Sequence, residues 1–171
     1  MFMRKICIIG SGSWGAALAI HAAKIGHEVR LWSFSEEEAK LINEEHKCKF
    51  LPMAQMPESI KCTTNIEEAV VNSDLILHVT PSKFTRETVK KYKQYVTNQP
   101  IILCSKGFEA STMYTLEEVV REELPMAKIG VFTGPSHAEE VSIGIPTAIV
   151  NASQSPDVQY IIHDTLMNEN M

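Results

Sequence analysis

The chain has 171 residues, of which 44% are hydrophobic, 22% charged and 7% aromatic, with 8 Gly and 8 Pro, a composition that excludes collagen, coiled coil and low-complexity disorder. The 16 Lys+Arg against 21 Asp+Glu leave a formal net charge of −5, and apart from a short cluster at Lys90, Lys91 and Lys93 the basic residues are scattered, so neither nucleic acid nor an anionic membrane is an expected partner. No apolar run approaches the ~20 residues of a membrane span, and Ile6 to Ile9 is cut short by Gly10-Ser11-Gly12 before it can act as a signal-peptide core; the expectation is a cytoplasmic protein of one domain, at about 150 residues per domain.

Short apolar runs alternate with helical patterns from one end to the other, the signature of βαβ units and a parallel sheet buried on both faces. In chain order the reading is strand Lys5 to Ile9, helix Trp14 to Ile25, strand Glu28 to Trp32 and helix Glu36 to Glu45. Lys47 to Ile60, with Pro52 and Pro57, is the longest irregular segment. Helix Ile66 to Asn72, strand Leu75 to Thr80, helix Lys83 to Tyr95 and strand Ile101 to Cys104 follow. The last third reads as helix Met113 to Glu123, strand Ile129 to Phe132, helix Ser136 to Ser142, strand Thr147 to Asn151 and a helix from Pro156 that is still running at Met171. Gly26 after an Ala-rich helix and Pro125 after Leu124 supply two helix stops. That open end is the pattern of a piece of a longer protein.

Cys7, Cys48, Cys62 and Cys104 show no CxxC spacing and are expected to be free buried thiols. His21, His27, His46, His78, His137 and His163 show no metal-ligand spacing, so no metal site is expected.

The strongest local signal is Gly10-Ser11-Gly12-Ser13-Trp14-Gly15, a GxGxxG that leaves an apolar strand and opens a helix. Gly10 permits the tight turn, Gly12 lacks the Cβ that would obstruct a pyrophosphate, and Gly15 lets the helix approach the sheet. The helix-start N–H groups then face the phosphates, where the helix dipole favours negative charge. In dinucleotide folds an acid at the end of the second strand bonds the adenosine ribose, and an Arg there accepts a 2′-phosphate. Here Leu31-Trp32-Ser33-Phe34 offers neither, and Glu36 to Glu38 read as the solvated start of a helix. The absence of an Arg tilts the cofactor reading toward NAD over NADP.

In open parallel sheets ligands bind at the carboxyl ends of the strands. Three such ends carry chemistry. Pro81-Ser82 would stiffen a loop passing a cofactor, or simply start a helix. Ser105-Lys106-Gly107-Phe108-Glu109 places a lysine where it can hold an anion or polarise a carbonyl, or simply stand in solvent. In Thr133-Gly134-Pro135-Ser136-His137-Ala138-Glu139-Glu140 the turn amides and the Ser136 hydroxyl can take a phosphate or carboxylate, and His137 reads equally as a helix-start residue or an acid/base.

Gly10-Ser-Gly-Ser-Trp-Gly-Ala-Ala-Leu-Ala19, Ser105-Lys-Gly-Phe-Glu109 and Gly134-Pro-Ser-His-Ala-Glu-Glu-Val141 together resemble the NAD(P)-dependent glycerol-3-phosphate dehydrogenase family, in order and spacing, over essentially the whole chain. The resemblance implies a Rossmann-type α/β domain over residues 1–171, a doubly wound and mainly parallel sheet with helices on both faces. It implies that Ser13 and Trp14 line NAD(H) or NADP(H) beside the glycine turn, with Ser33 and Phe34 near the adenosine ribose, Pro81 on the passing loop, and Ala138 touching the cofactor. Lys106 would contact both the nicotinamide side and the substrate, while Gly134 and Ser136 would hold sn-glycerol 3-phosphate.

Family members reversibly reduce dihydroxyacetone phosphate to sn-glycerol 3-phosphate for glycerophospholipid synthesis, as cytoplasmic homodimers. They also carry a second, helical domain with the proton-transfer lysine, expected beyond Met171, so residues 1–171 alone are expected to turn over little or nothing. Two other readings are a different two-domain NAD(P)-dependent dehydrogenase and a non-catalytic dinucleotide-sensing module. The Gly134 to Val141 run argues against the first; the missing proton donor keeps the second in play.

Overall fold

The computed structural model describes residues 2–171. A seven-stranded sheet is built from β1 (Lys5–Ile9), β2 (Glu28–Trp32), β3 (Lys61–Thr63), β4 (Leu75–His78), β5 (Ile101–Leu103), β6 (Ile129–Thr133) and β7 (Val150–Ser153) in the spatial order β3-β2-β1-β4-β5-β6-β7. All neighbours are parallel except β6 and β7. The helices are α1 (Ser13–Lys24), α2 (Glu36–Lys40), α3 (Ile66–Val70), α4 (Thr85–Tyr92), α5 (Leu116–Glu123), α6 (Ala138–Ile143) and α7 (Pro156–Leu166). A strand with helices on both faces must bury both rows of side chains, and β1 does so: Ile6 and Ile8 join a core with α1, α6 and α7, while Cys7 and Ile9 join a second core with α3, α4 and α5. The expected Rossmann-type sheet is therefore the one observed.

Local chemistry explains most boundaries. α1 ends in a Schellman arrangement, Gly26 N–H donating to the Ala23 carbonyl and His27 N–H to that of Ala22, with Gly26 at φ +95°. α5 opens with a reciprocal cap: Thr115 Oγ1 accepts from Glu118 N–H, and Thr115 N–H donates to the Glu118 carboxylate at 2.7 Å. That cap starts the helix three residues after the expected Met113, which itself stands at φ +61°. The expected helix over Glu36 to Glu45 is α2 continued by a π-helical turn, Leu41–Glu45. The one over Lys83 to Tyr95 is α4 flanked by short 3₁₀ turns.

Three expectations are corrected. Lys61–Thr63, which shows no pattern long enough to register in the sequence, is an edge strand paired with β2. The strand expected at Thr147 to Asn151 is displaced to Val150–Ser153 and runs antiparallel to β6, from Thr133↔Val150 to Gly130↔Ser153. The six residues of α6 rise only about 9 Å, against about 17 Å for a five-residue strand, so the helix does not carry the chain back to the amino end of the sheet before it pairs again. Finally, α7 ends at Leu166 rather than running to Met171. Two histidines at the end of α1 receive its last carbonyls: His21 Nε2 lies 2.7 Å from the Leu166 oxygen and His27 Nε2 2.8 Å from that of Thr165. All four cysteines are buried and free, as expected, and burial pushes their thiols up, Cys62 to about 12.

Candidate dinucleotide cleft

The carboxyl ends of β1, β2, β4 and β5, together with the starts of α1 and α6, surround a cleft of about 830 Å³. Its centre is the glycine turn. Gly10 leaves β1 at φ +121°, and a Cβ there would lie 3.1 Å from the Val79 backbone on β4's outgoing loop. A Cβ on Gly15 would collide with the Gly10 carbonyl, so α1 can lie this close to β1 only with glycine at that position. Gly12 differs: a Cβ there meets nothing within 4 Å. Its missing side chain leaves room in the cleft rather than relieving a clash.

Gly12 is also the N-cap of α1, with no side-chain cap and no acid in the first turn. The first-turn amides thus remain available to an anion at the positive end of a twelve-residue helix. Beside them the buried Trp14 Nε1 has no hydrogen-bond partner among the described residues. The cradle therefore fits the pyrophosphate of a dinucleotide by shape and by helix polarity.

Ser11, between the glycines, anchors the turn to the end of β2. Its hydroxyl donates to Glu38 Oε2 at 2.6 Å; Ser33 Oγ donates to the same oxygen at 3.0 Å and lies 2.8 Å from Ser11 Oγ. This corrects two expectations. Ser33, which the resemblance placed near the ribose, is fully buried and faces this cluster instead of the cleft. Glu38, read as part of a solvated helix start, is turned inward. Phe34 is 82% exposed and lines the cleft.

The far side is held by a different set of contacts. Lys106, exposed at the end of β5, donates from Nζ to the Gly134 carbonyl at 3.2 Å, bridging the ends of β5 and β6. Its loop is pinned by Arg86 of α4, whose guanidinium makes two 2.7 Å hydrogen bonds to Glu109 and also reaches Glu122 and Glu123. That grip holds the Glu109 carboxyl down at about 2. Gly134 does not itself line the cleft, because it is packed where a Cβ would lie 2.6 Å from the Ala148 oxygen; it contributes its carbonyl. Pro81, Ser136, His137 and Ala138 do line the cleft, with His137 as the N-cap residue of α6 making no side-chain cap bond.

Sequence reasoning singled out neither His78 nor one face of α4. His78 is fully buried, with Nε2 2.8 Å from Thr80 Oγ1 and Nδ1 3.2 Å from the Tyr92 hydroxyl, and burial lowers it to about 4. It is a neutral brace behind Thr80, which lines the cleft. Phe84, Glu87, Thr88 and Lys91 also line the cleft, at the i, i+3, i+4, i+7 spacing of one helix stripe. That spacing was visible in the sequence, but which strand end the stripe meets was not. Among the described residues no group of His, Cys, Asp and Glu is arranged to hold a metal ion, and no helix is long and apolar enough to cross a membrane.

Comparison with known proteins agrees with this geometry. Residues 5–159 match the family described as NAD-dependent glycerol-3-phosphate dehydrogenase N-terminus. The chain is 41% identical over 169 residues to glycerol-3-phosphate dehydrogenase [NAD(P)+] of Agathobacter rectalis, covering 98% of this chain and 50% of that protein. With its counterpart in Fusobacterium nucleatum the identity is 42% over 171 residues, covering 97% and 51%. The crystal structure of glycerol-3-phosphate dehydrogenase from Coxiella burnetii superposes with a TM-score of 0.93 at 31% identity, over 99% of this chain and 53% of that one. The chain thus spans about half the length of the curated relatives it matches. A strand-turn-helix cradle with an open cap, a lysine-bridged far wall and relatives at this identity converge on one conclusion: the chain belongs to the NAD-dependent glycerol-3-phosphate dehydrogenase N-terminus family.

Proposed function

We propose that this chain is the dinucleotide-binding half of an NAD(P)-dependent glycerol-3-phosphate dehydrogenase, an oxidoreductase that interconverts dihydroxyacetone phosphate and sn-glycerol 3-phosphate. The observation that carries the reading is the pairing, across one cleft, of an uncapped α1 N-terminus on an open Gly12 with a lysine held at the opposite strand ends by the Gly134 carbonyl. The first supports a pyrophosphate, and the second supports a cation beside a carbonyl substrate.

The bound cofactor would supply the hydride equivalent. This chain's own residues do the rest of what is proposed for it. The α1 amides hold the dinucleotide in place, with Gly10, Gly12, Ser13, Trp14 and Gly15 shaping the cradle and Pro81 and Ala138 against its flanks. Lys106 directs its ammonium toward the substrate oxygen, on which negative charge grows during reduction, and is thereby the catalytic residue of this half. Ser136 and the backbone at Gly134 orient the substrate. Proton transfer is assigned to the half of the relatives' length that this chain does not span. Membership in the family further supports a homodimeric, cytoplasmic enzyme that supplies sn-glycerol 3-phosphate for glycerophospholipid synthesis.

The test is calorimetric titration of the folded chain with NADH and NADPH. Saturable one-site binding of at least one of them is expected. Failure of both to bind a chain with native circular dichroism would overturn the reading.

A further inference from the structure

We infer that Lys91 is the residue that receives the 2′-phosphate of an adenosine ribose, and so decides how well the cleft accepts a phosphorylated dinucleotide. The inference rests on the proposed dinucleotide reading and deepens it. In this fold the adenosine ribose lies at the carboxyl end of β2, where an arginine after the strand would meet a 2′-phosphate. This chain has Ser33-Phe34 there, and by sequence alone the following acids would repel a second phosphate.

Two of those three acids are engaged elsewhere in the structure, while Glu37 stays exposed. Glu38 is turned into the cluster with Ser11 and Ser33, and Glu36 Oε1 accepts from Thr64 Oγ1 at 2.6 Å. The missing cation arrives from a different element. Lys91 of α4 places its Nζ 5.7 Å from the centre of the Phe34 ring and 5.9 Å from that of Trp32, the two aromatic residues at this strand end. Lys91 lines the cleft, is exposed, and makes no ion pair of 4 Å or less among the described residues.

Its neighbours show why it stays unpaired. Glu87, which also lines the cleft one helical turn earlier, is engaged by Lys90 at 2.8 Å, and Lys93 is engaged by Glu123 at 2.9 Å. Of the three clustered lysines, two are paired to glutamates and the third faces the cleft. A lysine held over two ring faces is attracted only weakly in water, so a dianionic phosphate brought to the same strand end would draw it away from the rings. The other lysine lining the cleft among the described residues, Lys106, is engaged at the far wall by Gly134. The cleft thus presents a cation at each flank and a helix N-terminus between them, a match for a ligand with phosphates both at its centre and at its adenosine end.

The experiment is calorimetry on the full chain and its Lys91→Gln and Lys91→Arg variants with four probes: NADPH, NADH, 2′,5′-ADP and 5′-AMP. Lys91 is exposed, so neither variant should disturb the fold, and circular dichroism checks this. The readout is the ratio of affinities within each pair differing by the 2′-phosphate. Lys91→Gln is expected to lower the NADPH-to-NADH and 2′,5′-ADP-to-5′-AMP ratios by about 10–100-fold, equivalent to about 1.4–2.8 kcal/mol, and Lys91→Arg to restore most of each. The wild-type preference should also shrink with added salt. Unchanged ratios in Lys91→Gln, or equal loss for both members of a pair, would overturn the inference while leaving the dinucleotide reading intact. Failure of all four probes to bind the wild-type chain would overturn both.

Discussion

Replacing His78 with glutamine removes a titrating ring from the interior while keeping a group that can hydrogen-bond toward Thr80 and Tyr92. His78 is completely buried, and burial lowers its pKa from 6.5 to about 4. Because the unfolded chain takes up this proton near pH 6.5 and the folded chain near pH 4, the unfolded state binds more protons throughout that interval. The associated stability is fully present above about pH 6.5 and is lost as pH falls toward 4. At about 1.36 kcal/mol per pH unit the whole loss is about 3 kcal/mol, of which about 2 kcal/mol falls between pH 7 and pH 5. The carboxylate Glu109, held at about 2, acts at lower pH, while burial lowers His21 in the same direction in both proteins. Urea unfolding of wild type and His78→Gln at pH 7, 6 and 5 separates the contribution. Wild type should lose about 2 kcal/mol more than the variant across the range. Parallel pH profiles would refute the assignment of His78 as a buried neutral brace.

The glycine turn makes two opposed predictions. Gly12→Val meets nothing within 4 Å at its Cβ but is a poor N-cap for α1, so stability should fall by only about 1 kcal/mol, whereas NADH affinity should fall about 100-fold or more because the side chain occupies the pyrophosphate's place. Retained affinity in a calorimetric titration would sink the cradle assignment. Gly15→Ala drives a methyl into the Gly10 carbonyl and should destabilise the fold by about 1–3 kcal/mol in urea unfolding; a neutral result would mean that α1 can withdraw from β1 freely. In a protein that joins this chain to the remaining half of its relatives' length, Lys106→Ala should lower kcat by about 10²–10³-fold, comparable to loss of one oxyanion donor at ~2.7–4 kcal/mol. Near-normal turnover in a steady-state assay with dihydroxyacetone phosphate and NADH would leave Lys106 as a surface cation.

Much of this architecture was legible in the residues themselves. Four consecutive apolar residues in β1 demand burial on both faces, so a parallel sheet covered on both sides followed from the pattern, while the doubly wound order came from the family resemblance. The glycine turn was equally legible, because Gly10, Gly12 and Gly15 act on backbone geometry within a few residues of themselves. The same holds for Gly26, which stops α1 locally, but not for the Thr115–Glu118 cap of α5, which the reading from Met113 passed over. Lys106 and the Gly134–Ala138 turn were found by a general rule about strand ends, which requires only that the strands be placed in order.

What the sequence did not determine depends on which element meets which. The direction of β7 turned on whether a six-residue helix could span the sheet, a matter of length in three dimensions. Ser33 and Phe34 are adjacent, yet one is buried against Ser11 and Glu38 and the other is open, because the chain leaves the sheet between them. Lys91 is the clearest case: periodicity puts it on a helix face, but only the packing of α4 beside the end of β2 sets its ammonium over Trp32 and Phe34. Local sequence therefore determined the elements and the phosphate cradle, where the forces are short-ranged and act between near neighbours in the chain. The tertiary structure decided which charges stand free in the cleft, since pairing of an ionic group depends on partners brought together from distant parts of the chain.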